Sequence, residues 1–236
     1  MSELPSVEII WEEGPCLVVC KPSGLLTQAP SSIDSMEARL REFIRQRDFK
    51  RGKVYLGVPH RLDRPVSGAL LFAKNQRAAK RLAEQFESRT VHKTYWACVS
   101  GTVEPNEGTW IDHMRKVPDE PRAELISPDA PDARQAVLHY RTLGNTPFGS
   151  WLEIELETGR MHQIRLQCAS RLHAILGDAQ YGSQIPFGEP PADPRLQPIA
   201  LHARTLSFSH PMTHLPVSLT APLPQLWQTL GIQENG

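Results

Sequence analysis

The stretch from Trp151 to Thr158 alternates strictly between apolar and polar residues, with Leu152, Ile154 and Leu156 pointing one way. Alternation with a period of two specifies a strand buried on one face and solvated on the other. Shorter runs of the same kind recur along the chain. Val7, Ile9 and Trp11 share one face of an opening strand, and after a break at Gly14-Pro15 the run Leu17–Cys20 reads as a buried strand. Lys21-Pro22-Ser23-Gly24 makes a turn. Further strands are expected at 69–73, at 91–99 with Lys93, Tyr95 and Ala97 on one face, at 135–143, at 203–208 and near 215–220. Two amphipathic helices interrupt them. One, over 35–48, aligns Met36, Leu40, Phe43 and Ile44 and takes Asp34 or Ser35 as its N-cap. The other, over 76–87, turns Ala79, Leu82, Ala83 and Phe86 inward and Arg77, Lys80 and Arg81 outward. A short helix near 224–230 closes the chain, and the prolines of 185–198 mark an exposed loop. With no internal repeat and no clear linker, the expectation is a single α+β domain over residues 1–236 with a largely antiparallel sheet.

Charge does not announce a partner. Lys+Arg and Asp+Glu both number 26, so a nucleic-acid surface would have to be a local patch, and composition alone is equally compatible with a small-molecule enzyme. The basic segment Arg39, Arg41, Arg45, Arg47, Lys50, Arg51 and Lys53, opposed by Glu42 and Asp48, is such a patch, although a solvated helix face is the ordinary meaning of such a run. Cys16, Cys20, Cys98 and Cys168 form no C-x-x-C pair and read as buried free thiols. The histidines show no zinc-type spacing, so no metal site is expected. The N-terminus lacks a basic region followed by an apolar stretch, and no apolar run approaches a membrane span. A reducing, cytoplasmic setting without membrane association is expected.

Two stretches carry chemistry. The first is His60-Arg61-Leu62-Asp63-Arg64-Pro65-Val66-Ser67-Gly68, running into Ala69-Leu70-Leu71-Phe72-Ala73-Lys74. It sets Asp63 between two arginines at the mouth of a strand. Pro65 keeps Arg64 out of a helix and Gly68 permits a tight backbone. Neighbouring guanidinium groups favour the ionised carboxylate. A loop salt bridge is the plain alternative. The second stretch, Thr158-Gly159-Arg160-Met161-His162-Gln163-Ile164-Arg165, places two cations, a histidine and a glutamine just after a strand. Arg160 and Arg165 could hold phosphate or carboxylate, whereas a lone histidine such as His162 is more often a structural hydrogen-bonder.

The first stretch resembles the signature of the RluA-type pseudouridine synthases. Lys21-Pro22-Ser23-Gly24-Leu25, Lys93-Thr94-Tyr95, Gly159–Arg165, Gly177-Asp178-Ala179-Gln180-Tyr181-Gly182, and Leu201-His202-Ala203 with Leu206–Pro211 resemble further family motifs, in the family's order. Val66, Ala69 and Leu172-His173-Ala174 depart from the commoner residues without removing a functional group. The resemblance implies the pseudouridine synthase fold, a mixed, largely antiparallel sheet with flanking helices and a central catalytic cleft. It also implies an isomerase that breaks the bond from uracil nitrogen to ribose, turns the base and rejoins it through carbon 5. Asp63 would be the catalytic carboxylate, Arg165 its paired cation and Tyr95 a stacking partner for the uracil. Arg61 would enter the RNA stack when the uridine leaves it, Leu201 would wall the base's other side, and His162 and Arg160 would contact substrate. Asp178 and Tyr181 are expected to hold loop architecture. No cofactor is expected.

The chain begins almost at the first motif, so the small RNA-binding domain that precedes the catalytic domain in many relatives is expected to be absent. The implied partner is a stem-loop RNA, transfer RNA ahead of ribosomal RNA, bound by a monomer without an obligatory protein partner. Two rivals are a catalytically silent RNA-binding module of the same fold and an unrelated hydrolase, which would need a second placed acid.

Overall fold

A computed structural model describes residues 7–233. Its first half runs through β1 (Glu8–Glu13), β2 (Cys16–Lys21), α1 (Met36–Arg47), β3 (Ser67–Ala73), α2 (Gln76–Glu87) and β4 (His92–Cys98). The second half continues with β5 (Glu107–Lys116), β6 (Ala123–Leu125), β7 (Arg134–Thr146), β8 (Gly149–Leu156), α3 (Gln163–Ala169), β9 (Leu201–Ser209) and β10 (Pro216–Thr220). Short 3-10 turns occupy Ala179–Tyr181, Pro194–Leu196 and Gln225–Leu230. The fold is α+β. The described residues gather into two compact units, one of 7–92 and 203–224, the other of 93–202 and 225–233.

In the first unit the strands lie in the order β1, β2, β3, β9, β10. The pairs β1–β2, β2–β3 and β9–β10 are antiparallel. Every residue of β2 and β3 is buried, which is why these strands read as continuous apolar runs rather than alternating ones. Their alternate side chains Cys16, Val18, Cys20 and Ala69, Leu71, Ala73 pack with Ala78 and Leu82 of α2 and with Leu206 and Phe208 of β9. The expected shared face of Ile9 and Trp11 does not form. A bulge shifts the register between them, so Ile10 and Trp11 both reach the core. Ala83 is exposed rather than inward, and α2 buries Ala78 in its place. Ser35 caps α1 by accepting from Ala38 N at 3.2 Å, and Asn75 caps α2 by accepting from Ala78 N at 2.8 Å.

The second unit orders its strands β4, β8, β7, β5, β6, all antiparallel. Neither β5 nor β6 was expected from the sequence. Along β5 the inward face is Trp110, Asp112 and Met114, with an acid in the middle, while Ile111 points outward. That arrangement inverts the apolar alternation on which strand recognition depends. Helix α3 was also not expected. Residues Gln163–Cys168 are all buried, so no polar stripe marks a helical period, and its first cap position, His162, is left-handed and makes no side-chain cap.

All three helices end alike. At α1, Lys50 N donates to Arg45 O and Phe49 N to Gln46 O; at α2, Thr90 N donates to Gln85 O and Arg89 N to Phe86 O. At α3, His173 N donates to Cys168 O and Leu172 N to Ala169 O. These paired bonds are the Schellman closure, which places the residue after the cap in the left-handed region and is normally built with glycine. Here Phe49, Arg89 and Leu172 hold φ values of 51°, 58° and 65°. The four cysteines are buried and unbridged, and burial raises the Cys16 thiol pKa to about 11, so they are inert packing residues.

Candidate active site

The Asp63 loop is fixed by its neighbours' backbone groups. Thr27 Oγ1 donates to Leu62 O at 2.9 Å and accepts from Leu62 N at 3.1 Å. On the other side, Arg64 O accepts from Gly24 N at 2.8 Å and from Lys21 Nζ at 3.2 Å. Val66 N closes a turn onto Asp63 O at 3.1 Å. The residues flanking Asp63 are thus tied to the segment 21–27, and the carboxylate, half-buried, is carried on a constrained backbone. Entry to β3 requires Gly68, whose φ is 119° and where a Cβ would lie 2.3 Å from Ala203 O. His60 ends the loop's other approach. Its Nε2 accepts from Leu71 N at 3.0 Å and its ring stacks on Phe86 at 4.6 Å.

Lys21 is the residue the sequence did not single out. It is 0% exposed, and its Nζ donates to the carbonyls of Pro22 at 2.8 Å, Leu25 at 2.7 Å and Arg64 at 3.2 Å. Three acceptors match the three protons of an ammonium group. Burial pushes the Lys21 pKa down to about 7, while the negative charge of Asp63 pulls it back up. The forewarnings were its place in the Lys-Pro-Ser-Gly turn and in the family-like motif that contains it, and nothing local marks that lysine as buried.

Arg61 is exposed and makes no hydrogen bond or ion pair among the described residues. The simple alternative, in which Arg61 braces the loop by pairing with an acid, therefore has no support.

In the second unit Arg165 is 4% exposed and sits on α3. Its Nε and Nη2 donate to the two carboxylate oxygens of Asp178 at 2.7 and 2.8 Å, and Nη2 also donates to Gln180 Oε1 at 2.8 Å. The guanidinium carbon lies 5.0 Å from the centroid of the Tyr181 ring. Asp178, 1% exposed, thus holds Arg165 by a two-pronged contact. Gly177, with φ 84°, lets this loop pass 2.4 Å from Pro198 O as measured from a Cβ placed there. Tyr181 OH accepts from Ala123 N at 2.9 Å and lies 2.9 Å from His162 Nδ1. Its single proton can then go to that ring nitrogen. This contact and an edge-on packing of the two rings, 5.7 Å between centroids, place His162 against Tyr181. Arg160 Nε donates to Gln135 O at 3.0 Å. Gln163 fastens the preceding turn by accepting from Thr158 Oγ1 and from Arg160 N, and by donating to Val137 O. Tyr95 is buried on β4 opposite Ile154, and Leu201 is buried at the start of β9.

The basic segment around α1 is less open than its sequence suggests. Arg39 pairs with Asp34, Arg41 with Glu37, Arg45 with Glu42, and Arg47 with Glu12 and Asp48. Arg47 and Glu12 form a two-pronged contact, and that bond holds the Glu12 pKa below its usual value against the opposing effect of burial.

Comparison with known proteins identifies the class to which this fold belongs, an RNA-modifying isomerase. Residues 15–170 match the family described as RNA pseudouridylate synthase. The ribosomal large subunit pseudouridine synthase D of Xanthomonas campestris is 33% identical over 231 residues, covering 95% of this chain and 68% of its own. The tRNA pseudouridine synthase C of Haemophilus ducreyi is 34% identical over 241 residues, covering 95% and 94%. The solved structure of human RNA pseudouridylate synthase domain containing 4 shares the fold, with a TM-score of 0.78, 22% identity and coverage of 97% of this chain and 95% of that one. The chain belongs to the RNA pseudouridylate synthase family. It is an isomerase that converts uridine to pseudouridine in RNA.

Proposed function

We propose that this chain isomerises a uridine of a transfer RNA, with Asp63 as the catalytic carboxylate. The observation that carries Asp63 is the fixing of its two neighbours, Leu62 and Arg64, through Thr27 and Lys21. A carboxylate acting as nucleophile or proton acceptor must be ionised and held at a set position. By the family resemblance Tyr95 stacks on the uracil, Arg165 is the cation of the reacting centre, and Leu201 adds an apolar wall. The reaction moves one glycosidic bond within the nucleotide and transfers no electron, so the chain's own side chains suffice. Transfer RNA is favoured because the match takes in 94% of the tRNA synthase of Haemophilus ducreyi, against 68% of the ribosomal synthase of Xanthomonas campestris. Pseudouridine mapping of RNA from cells with and without the gene should show a site lost from transfer RNA. Loss confined to ribosomal RNA would move the target to that class.

Arg61 gives a second test. A uridine inside a folded loop must leave its stack, at a cost on the order of a few kcal/mol. A planar cation that fills the vacated space offsets part of that cost. Arg61→Ala should slow single turnover on a structured loop more than on a flexible RNA with the same target sequence, and Arg61→Lys should restore only part of the loss. Equal fractional losses on both RNAs would reject the flipping role.

A further inference from the structure

Helix α1 ends in a feature that its fold does not need. Phe49 stands at the left-handed position of the Schellman closure, where φ is 51° and glycine is the favoured residue. Its ring is 90% exposed, so it gains almost nothing from burial. A phenylalanine here is unfavourable for the backbone and unfavourable in water. Residues in sparsely populated backbone regions are often kept for function.

The neighbours of Phe49 point to its ligand. Lys50, Arg51 and Lys53 follow directly, all exposed. The four arginines of α1 are ion-paired, and Lys50 lies 3.7 Å from Asp48, an acid already bonded to Arg47. Arg51 and Lys53 make no ion pair or hydrogen bond among the described residues. The uncompensated charge of this segment is therefore concentrated at the tip, beside an exposed ring. Cations that can grip phosphates, next to an aromatic face, are what an unpaired stretch of RNA recognises.

We propose that Phe49, with Arg51 and Lys53, forms an accessory contact for RNA, in which the ring stacks on an unpaired base and the two cations bind the adjoining phosphates. This rests on the reading of the chain as an RNA-modifying enzyme and adds a contact outside the reacting centre. Arg45 and Arg47, by contrast, are each engaged by acids of the chain.

The test compares Phe49→Gly with Leu172→Gly by fluorescence anisotropy on two labelled RNAs, a hairpin with an unpaired loop and a fully paired duplex of the same stem. Both glycines suit a left-handed backbone, so both variants should melt at or above the wild-type temperature. Phe49→Gly should weaken hairpin binding by at least about fivefold, the low end for one stacked base, and leave duplex binding unchanged. Leu172→Gly should bind both RNAs as wild type does. Arg51→Ala combined with Lys53→Ala should lower the logarithmic salt slope on the hairpin by about 1.4. Unchanged hairpin affinity in Phe49→Gly, a lower melting temperature, or a changed oligomeric state would each overturn the proposal. Failure of the wild-type chain to bind either RNA would overturn the functional reading as well, which sets that outcome apart from a failure of the tip alone.

Discussion

Asp178→Ala should destabilise the second unit by about 3–5 kcal/mol, the usual effect of removing one member of a buried ion pair. The carboxylate accepts two bonds from Arg165 at 2.7 and 2.8 Å, with both side chains almost wholly out of water. Taking it away removes the two-pronged contact from a guanidinium that cannot lose its charge, with Gln180 and the Tyr181 ring among its remaining contacts. Asp178→Asn keeps an acceptor and the volume, so its effect should be smaller, though still destabilising. A double variant, Arg165→Met with Asp178→Ala, removes both members of the buried pair and should be less destabilised than Asp178→Ala alone. Urea unfolding followed by circular dichroism measures all three. A loss below about 1 kcal/mol for Asp178→Ala would place this pair among those that contribute little, as surface pairs do.

Where local signals agreed with one another, the structure was legible in the sequence. Helix α2 runs over Gln76–Glu87 as its apolar stripe indicated, and the structure adds the Asn75 cap that begins it. For α1 the stripe located the helix and Ser35 proved to be the cap. The Asp63 loop was visible through Pro65 and Gly68, which constrain the backbone regardless of what surrounds it. What stayed hidden depends on partners distant in the chain. Arg47 is engaged by its neighbour Asp48 and also by Glu12, which lies 35 residues earlier. Glu37, by contrast, stands four residues before Arg41 and was readable from helical spacing alone. Lys21 is an ordinary turn lysine until the fold buries it against three carbonyls. Helix α3 hides because burial on every side erases the polar face by which a helix is recognised, and β5 hides because it carries an acid inward and an isoleucine outward.

The central claim is that Asp63 performs the chemistry, and Asp63→Asn tests it most directly. The change keeps the side chain's size and removes its charge and its capacity to take up a proton or attack as a nucleophile. The loop should stay in place, because Thr27 and Lys21 hold its backbone rather than the carboxylate itself. Removing the negative charge also removes the larger of the influences that raise the Lys21 pKa, so melting curves should accompany the assay to show that the variant is folded. RNA affinity should be largely retained, since contacts to phosphate dominate it. The measurement is single-turnover formation of pseudouridine in transfer RNA, with protein in excess over RNA. The account predicts no product above background from folded Asp63→Asn under conditions where the wild-type chain goes to completion. A rate above about a tenth of wild type from the folded variant would contradict it, because an essential carboxylate contributes far more than tenfold.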